Sequence, residues 1–244
     1  MNAQIQNWDN FCRYHTGDWH GSWTIYYGNG ELTDSFKCVR SLHANFDSSE
    51  INHQNYRIHA DGRREPTLVK TYNKPNTKAL YLNNSFSWGF TTLEPGSPVF
   101  FETGFRHGDR RASAVVVYDE NSNFKQVIII SEHLGSFAEE PIHPLVNELS
   151  CKWIGTLTKI MPDWIVPPAV ASSWKQLKEL GEDYLAQLYP DGVSVSSPRH
   201  LESGHEFVFA VDWLVNPTLL YRGTRHFNAS GFTSFTLQTF TPAI

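Results

Sequence analysis

The stretch TLLYRGTRHF, residues 218–227, sets two arginines among apolar and aromatic neighbours. In a strand, side chains alternate between faces, so Leu220, Arg222, Thr224 and His226 share one face while Leu219, Tyr221, Gly223, Arg225 and Phe227 share the other. One arginine then points inward unless the strand is bulged. A guanidinium between apolar walls presents a planar fork that matches a carboxylate, and Arg222 is the expected anchor, with Arg225 as the fallback. The competing use of Arg222 is to brace the floor of a barrel by stacking on Trp19.

Two aromatic stripes would supply the walls. FSWGF places Phe86, Trp88 and Phe90 on one face, and EFVFAVDW does the same for Phe207, Phe209, Val211 and Trp213. Such stripes pack against a flat conjugated ligand or simply fill a core. In VFFETGFRH, Glu102 and Arg106 share a face on either side of Gly104. Turned inward, Glu102 is a candidate proton donor or general base; turned outward, the pair is a surface bridge. Asp212 falls opposite Trp213 and is expected at the surface. The 11 histidines form no HExxH, HxH or zinc-spaced pair with cysteine, so no metal site is expected. A haem barrel needs one proximal histidine and stays open as a reading. No nucleophile elbow, phosphate loop or dinucleotide fingerprint occurs.

Strands must position these residues. WHGSWTIYY alternates with period two and is followed by the turn GNG. Further strand runs follow at about 35–46, 50–60, 66–73, 78–82, 86–93, 98–106, 111–119 and 124–132, separated by ADGR, NKPNT, EPGSP and DENSN. ASAVVVYD and KQVIIIS are apolar on both faces, so a second layer should cover them. After the proline-interrupted SFAEEPIHPLVNE, a second Trp-x-Gly strand begins at Trp153, matching Trp19-x-Gly21. Residues 173–189 carry a capping-box pattern and apolar residues at helical spacing, and are expected to form the one helix, covering a barrel. Four more strands are expected near 193–197, 205–214, 218–227 and 231–240.

The C-terminal VDWLVNPTLLYRGTRHFNASGFTSFTLQTF resembles the end of the S-type phycobilin lyases of cyanobacteria through Trp213, Asn216, Pro217, Leu219, Arg222, Phe227, Gly231 and Phe232. Gly17-Asp18-Trp19 is similar to the Gly-x-Trp that opens lipocalin barrels. As a whole the chain, with its PDGVSVSSPR segment, looks like a cyanobacterial lipocalin-like (calycin) family of unknown function related to those lyases. The resemblance implies a lipocalin-like barrel in which Arg222 holds a bilin propionate, with a phycobiliprotein as a further partner. This chain is longer than such a lyase, and its second Trp-x-Gly strand has Cys151 where a lipocalin start carries glycine.

The expected architecture is therefore all-β: a lipocalin-like antiparallel barrel over 1–140 and a second, partial unit with the helix over 141–244, sharing a core. One enlarged barrel is the alternative. The expected function is binding of a hydrophobic or amphipathic small molecule, a linear tetrapyrrole first, as pigment carrier, chaperone or bilin lyase. An isomerase or cyclase working inside the barrel and an interaction module with a filled barrel are the rivals. A formal charge of −5 without a Lys/Arg run argues against nucleic acid. No run approaches the roughly 20 apolar residues of a membrane span. MNAQIQNWDN lacks the features of a leader, and Cys12, Cys38 and Cys151 are odd in number and scattered, so a cytoplasmic protein with reduced thiols is expected.

Overall fold

A computed structural model describes residues 2–75, 78–94, 96–138, 152–181 and 183–243. Helix α1 (Ala3–His15) comes first. It is capped by the Asn2 side chain, which accepts from the backbone N–H of Gln4 at 3.0 Å. Nine antiparallel strands follow: β1 (Gly17–Tyr27), β2 (Leu32–Ala44), β3 (Glu50–Ile58), β4 (Arg64–Asn73), β5 (Leu80–Leu82), β6 (Ser85–Gly89), β7 (Val99–His107), β8 (Arg110–Tyr118) and β9 (Phe124–Leu134). They form one sheet in the order β4-β3-β2-β1-β9-β8-β7-β6-β5. First and last strands pair, as in a meander closing on itself, but β4 and β5 remain as two edges flanking a seam.

α1 sits against this seam. Its Asn7 side chain accepts from the Tyr81 N–H at 2.6 Å and donates to the Ala79 carbonyl at 3.1 Å, while Asn10 donates to the Tyr81 carbonyl at 3.0 Å. Side-chain amides thus stand in for the strand that β5 lacks on that side. Trp8 and Phe11, one turn apart, bury their rings against Leu42, Ile51, Tyr81 and Phe86.

The remaining strands are β10 (Trp153–Ile160), β11 (Val170–Ser173), β12 (Tyr184–Leu188), β13 (Val193–Pro198), β14 (Phe207–Asn216), β15 (Leu219–Asn228) and β16 (Gly231–Pro242). They form a second sheet ordered β11-β10-β16-β15-β14-β13-β12. Its first strand again pairs with its last. The duplicated Trp-x-Gly motif marks this shared topology. A Cβ on Gly21 would lie 2.0 Å from the Ser131 carbonyl oxygen of β9, and one on Gly155 would lie 1.8 Å from that of Thr239 in β16. In each sheet, glycine lets the closing strand approach the opening one.

The two sheets pack through a shared core. Phe101 and Phe105 of β7, Ala112, Ala114 and Val116 of β8, and Val127 and Ile129 of β9 meet Phe207, Phe209, Val211 and Trp213 of β14 with Phe235 and Leu237 of β16. This explains why β8 and β9 are apolar on both faces: one face lines the interior of the first sheet and the other meets the second. Hydrogen bonds cross the joint from Arg110 to the Val215 carbonyl and from Tyr118 to the Pro198 carbonyl, at 3.1 and 2.8 Å.

The helix expected over 173–189 does not form. Residues 170–173 pair with β10, Leu177–Leu180 make a single 3-10 turn carrying the Gln176/Glu179 capping box, and 184–188 pair with β13. Of the apolar residues at helical spacing, Tyr184 and Leu188 fall in β12, Leu177 in the 3-10 turn, and Trp174 just after β11. Pairing there supplies partners to the otherwise open edges of β10 and β13, and those edges set the conformation of the segment. An α-helix forms instead at the N-terminus, as α1, a segment the expected strands and helix leave out.

Candidate ligand-binding cavity in the first sheet

The interior of the first sheet is a cavity of ≈ 390 Å³, bounded by residues from α1 and from β1 through β8. Alternation selects its lining. On β2, Cys38, Arg40 and Leu42 face inward together; on β8, Arg111 and Ser113; on β7, Glu102 and Gly104; on β6, Phe86 and Trp88. Gly104 makes the wall possible, because a Cβ there would fall 2.4 Å from the Phe86 ring.

Four charges are buried at the floor. Arg40 Nε lies 3.2 Å from Glu132 Oε1 and its Nη1 lies 3.8 Å from Glu102, while Arg111 Nε is 3.6 Å from Glu132. Glu102 is held as well by donors from Trp88 Nε1 and from Ser113 Oγ, the latter at 3.1 Å. The arginines stack on the aromatic wall: Arg40 lies 5.3 Å from the Trp23 ring centre and Arg111 lies 4.6 Å from that of Phe86. Burial, reinforced by the like charge of Arg40, lowers the Arg111 pKa to about 10, so it stays protonated at neutral pH. Arg111 Nε and Nη1 make no hydrogen bond among the described residues.

Higher in the wall, His53 Nε2 lies 2.9 Å from Asn55 Oδ1 and Nδ1 lies 3.0 Å from the Tyr72 hydroxyl. Because Asn55 Oδ1 accepts, Nε2 carries the proton and Tyr72 donates to Nδ1. Burial first, and then the charge of Arg40, lowers the His53 pKa to about 3, which keeps the ring neutral. At the mouth, Lys70 and Lys78 join the lining. Four cations, Arg40, Arg111, Lys70 and Lys78, thus face this space with one carboxylate, Glu102; Glu132 stands behind the arginines. A chain of net charge −5 concentrates positive charge in this aromatic-walled cavity.

Of the residues singled out from sequence, Phe86, Trp88 and Glu102 come together here. Phe90 does not line the cavity and is 40% exposed, with its ring edge-on to Phe100. Phe207, Phe209 and Trp213 are in the core between the sheets. Arg225 is buried at that same joint, donating to Ser87 Oγ and the Phe90 carbonyl at 3.2 and 3.1 Å, with Phe232 4.4 Å from its guanidinium. Arg222 lies on the opposite face of β15. Its Nε and Nη2 grip both oxygens of Asp212 at 2.6 and 2.7 Å, Nη2 also reaches the Lys175 carbonyl, and Trp174 covers the pair. The fork that a ligand carboxylate would use is occupied. Asp212, expected at the surface, is buried because Arg222 is its cross-strand neighbour.

Sequence reasoning passed over Arg40, Arg111, Glu132 and His53. The signal was present: each of Arg40, Arg111 and Glu132 stands in phase with apolar or small residues two positions away (Cys38 and Leu42, Ser113, Ile130), so each had to face inward.

Residues 4–137 match the N-terminal domain of the DUF3598 family, a domain of unknown function. The chain belongs to this family. Residues 178–240 match a second domain, the C-terminal domain of "Biogenesis factor required for ATP synthase 1". Among solved structures, a DUF3598 protein of unknown function from Nostoc punctiforme aligns over 97% of this chain and 99% of its own, with a TM-score of 0.79 and 21% identity. That likeness extends the fold of the family over both sheets. A putative outer membrane protein of Bacteroides fragilis aligns at a TM-score of 0.29 and 10% identity, too low to inform the fold. No curated protein matches the chain. No helix among the described residues is long and apolar enough to cross a membrane.

Proposed function

We propose that this DUF3598 protein binds an amphipathic small anion in the cavity of its first sheet, aromatic or conjugated in its body and carrying a carboxylate. The observation that carries the reading is the positive, aromatic-walled interior just described, in which Arg111 keeps unspent donors. Trp23, Tyr72, Phe86 and Trp88 would hold the body of the ligand, and Arg40 and Arg111 its acid group. At ≈ 390 Å³ the space lies near the lower end of the roughly 300–1,000 Å³ usual for ligand pockets, so a larger ligand would protrude past Lys70 and Lys78.

A linear tetrapyrrole is the first ligand to try, with the protein as its carrier or chaperone. Transfer to a phycobiliprotein cysteine, as in a lyase, would be an added step. Titration with a bilin, followed by visible absorbance, tests the reading. Saturable binding that falls when the propionates are esterified or when Arg40 is replaced by methionine supports it. Binding indifferent to both changes would remove the cavity as the site.

The match of residues 178–240 to the C-terminal domain of a biogenesis factor favours a second reading, in which the second sheet serves the biogenesis of a protein complex. That role requires no ligand in the first sheet, and the same titration separates the two.

A further inference from the structure

A second pocket, of ≈ 190 Å³, opens on the other face of the first sheet where it meets the second. Two cross-strand rows line it. His20 of β1 pairs with His133 of β9, which pairs with Arg110 of β8; in the next row, Lys37 of β2 pairs with Ser22 of β1, which pairs with Ser131 of β9. Directly opposed residues hold their Cβ atoms about 5 Å apart, so these six side chains crowd one small area. Phe137 walls one side, edge-on to the His20 ring at 5.1 Å and 5.0 Å below Lys37 Nζ. Arg110 is fixed by stacking over Trp213 at 5.3 Å and by its bond to the Val215 carbonyl, which leaves further N–H groups for the pocket. Ser131 Oγ has no hydrogen-bond partner among the described residues.

Arg110 and Lys37 bring fixed positive charge to the pocket, and the two imidazoles add N–H donors. Asp191 also lines the pocket; Glu132 lines it too, but its carboxylate is engaged by Arg40 and Arg111. Two imidazoles, an ammonium, a guanidinium and two hydroxyls converge, which is more donor capacity than one carboxylate can use and suits a tetrahedral oxyanion. We propose that this pocket is a phosphate site, separate from the cavity of the first sheet, and that it takes inorganic phosphate or the phosphate of a small monoester whose body lies against Phe137.

Calorimetric titration of the whole chain with inorganic phosphate and with phenyl phosphate tests this. Saturable binding with a dissociation constant on the order of 1 mM or tighter is expected. The double variant His20→Gln/His133→Gln and the single variant Lys37→Met should each weaken it roughly tenfold or more. Lys37 is exposed, so its variant stays folded if the histidine pair proves structural. Lys70→Met, at the mouth of the other cavity, should leave phosphate affinity unchanged. Tighter binding of phenyl phosphate assigns a monoester; equal affinities assign free phosphate. Absence of saturation, or a loss with Lys70→Met equal to that with Lys37→Met, would overturn the proposal, the second by moving phosphate into the cavity.

Discussion

Arg222 and Arg40 are both buried and both face carboxylates, yet they sit in opposite regimes. On the second sheet, Arg222 and Asp212 form a closed, two-point pair with a carbonyl and an indole completing it. In the first sheet, Arg40 and Arg111 meet Glu102 and Glu132 at 3.2 to 3.8 Å, beside an open cavity, with donors left over. A saturated pair has already offset its desolvation and has nothing to give a ligand. An unsaturated cluster next to space can still gain by binding one.

The sharpest way to break this comparison is at the closed pair. Asp212→Ala strands a buried guanidinium and should cost about 3 to 5 kcal/mol in urea unfolding, whereas Arg222→Met/Asp212→Leu together should recover most of it. If Asp212→Ala weakened ligand binding without loss of stability, the contrast between the sheets would be mistaken.

At the open cluster the effect should move from stability to affinity. Arg40→Met is expected to weaken a carboxylate ligand by about 2 to 4 kcal/mol. Its stability cost should be smaller than that of Asp212→Ala, since Glu132 keeps Arg111 and Glu102 keeps Trp88 and Ser113. Ligand titration and unfolding on one preparation show which quantity changes.

The repeated glycines test whether the two sheets close alike. Gly21→Ala and Gly155→Ala each drive a methyl group into a neighbouring carbonyl, and each should destabilise by about 1 to 3 kcal/mol or more. A large effect at one position and none at the other would separate the two Trp-x-Gly motifs that the topology equates.

Acid response is the mildest test. The folded-state pKa values of His53 and His226 are lowered, to about 3 and about 4, chiefly by burial. A depressed histidine binds its proton more readily unfolded. Stability is therefore full above the unfolded value near 6.5, and falls as pH drops from there toward the folded values, by at most about 1.4 kcal/mol per unit for each ring. Unfolding free energies measured at several acid pH values should show a shallower slope in His53→Gln than in the wild type.

Among the described thiols, Cys12 and Cys38 are unpaired, and burial pushes Cys38 up to about 11, so it is a poor nucleophile at neutral pH. Cys151 lies outside the described residues.

Period-two alternation and turn residues determined the β architecture by themselves, because in a strand the face of each side chain follows from its position. They located most strands, the two-sided burial of β8 and β9, and the inward stripe of Phe86 and Trp88. The Trp-x-Gly repeat stands in the opening strand of each closing pair, at Trp19 in β1 and Trp153 in β10. Only tertiary structure decided partnership. Whether Arg222 or Arg40 is free for a ligand depends on which carboxylate arrives across the sheet, from Asp212 in one case and from Glu132, two strands away, in the other. Local pattern also left residues 173–189 undecided between helix and strand, because their conformation is set by the open edges of β10 and β13, which lie outside the segment in sequence and beside it only in space.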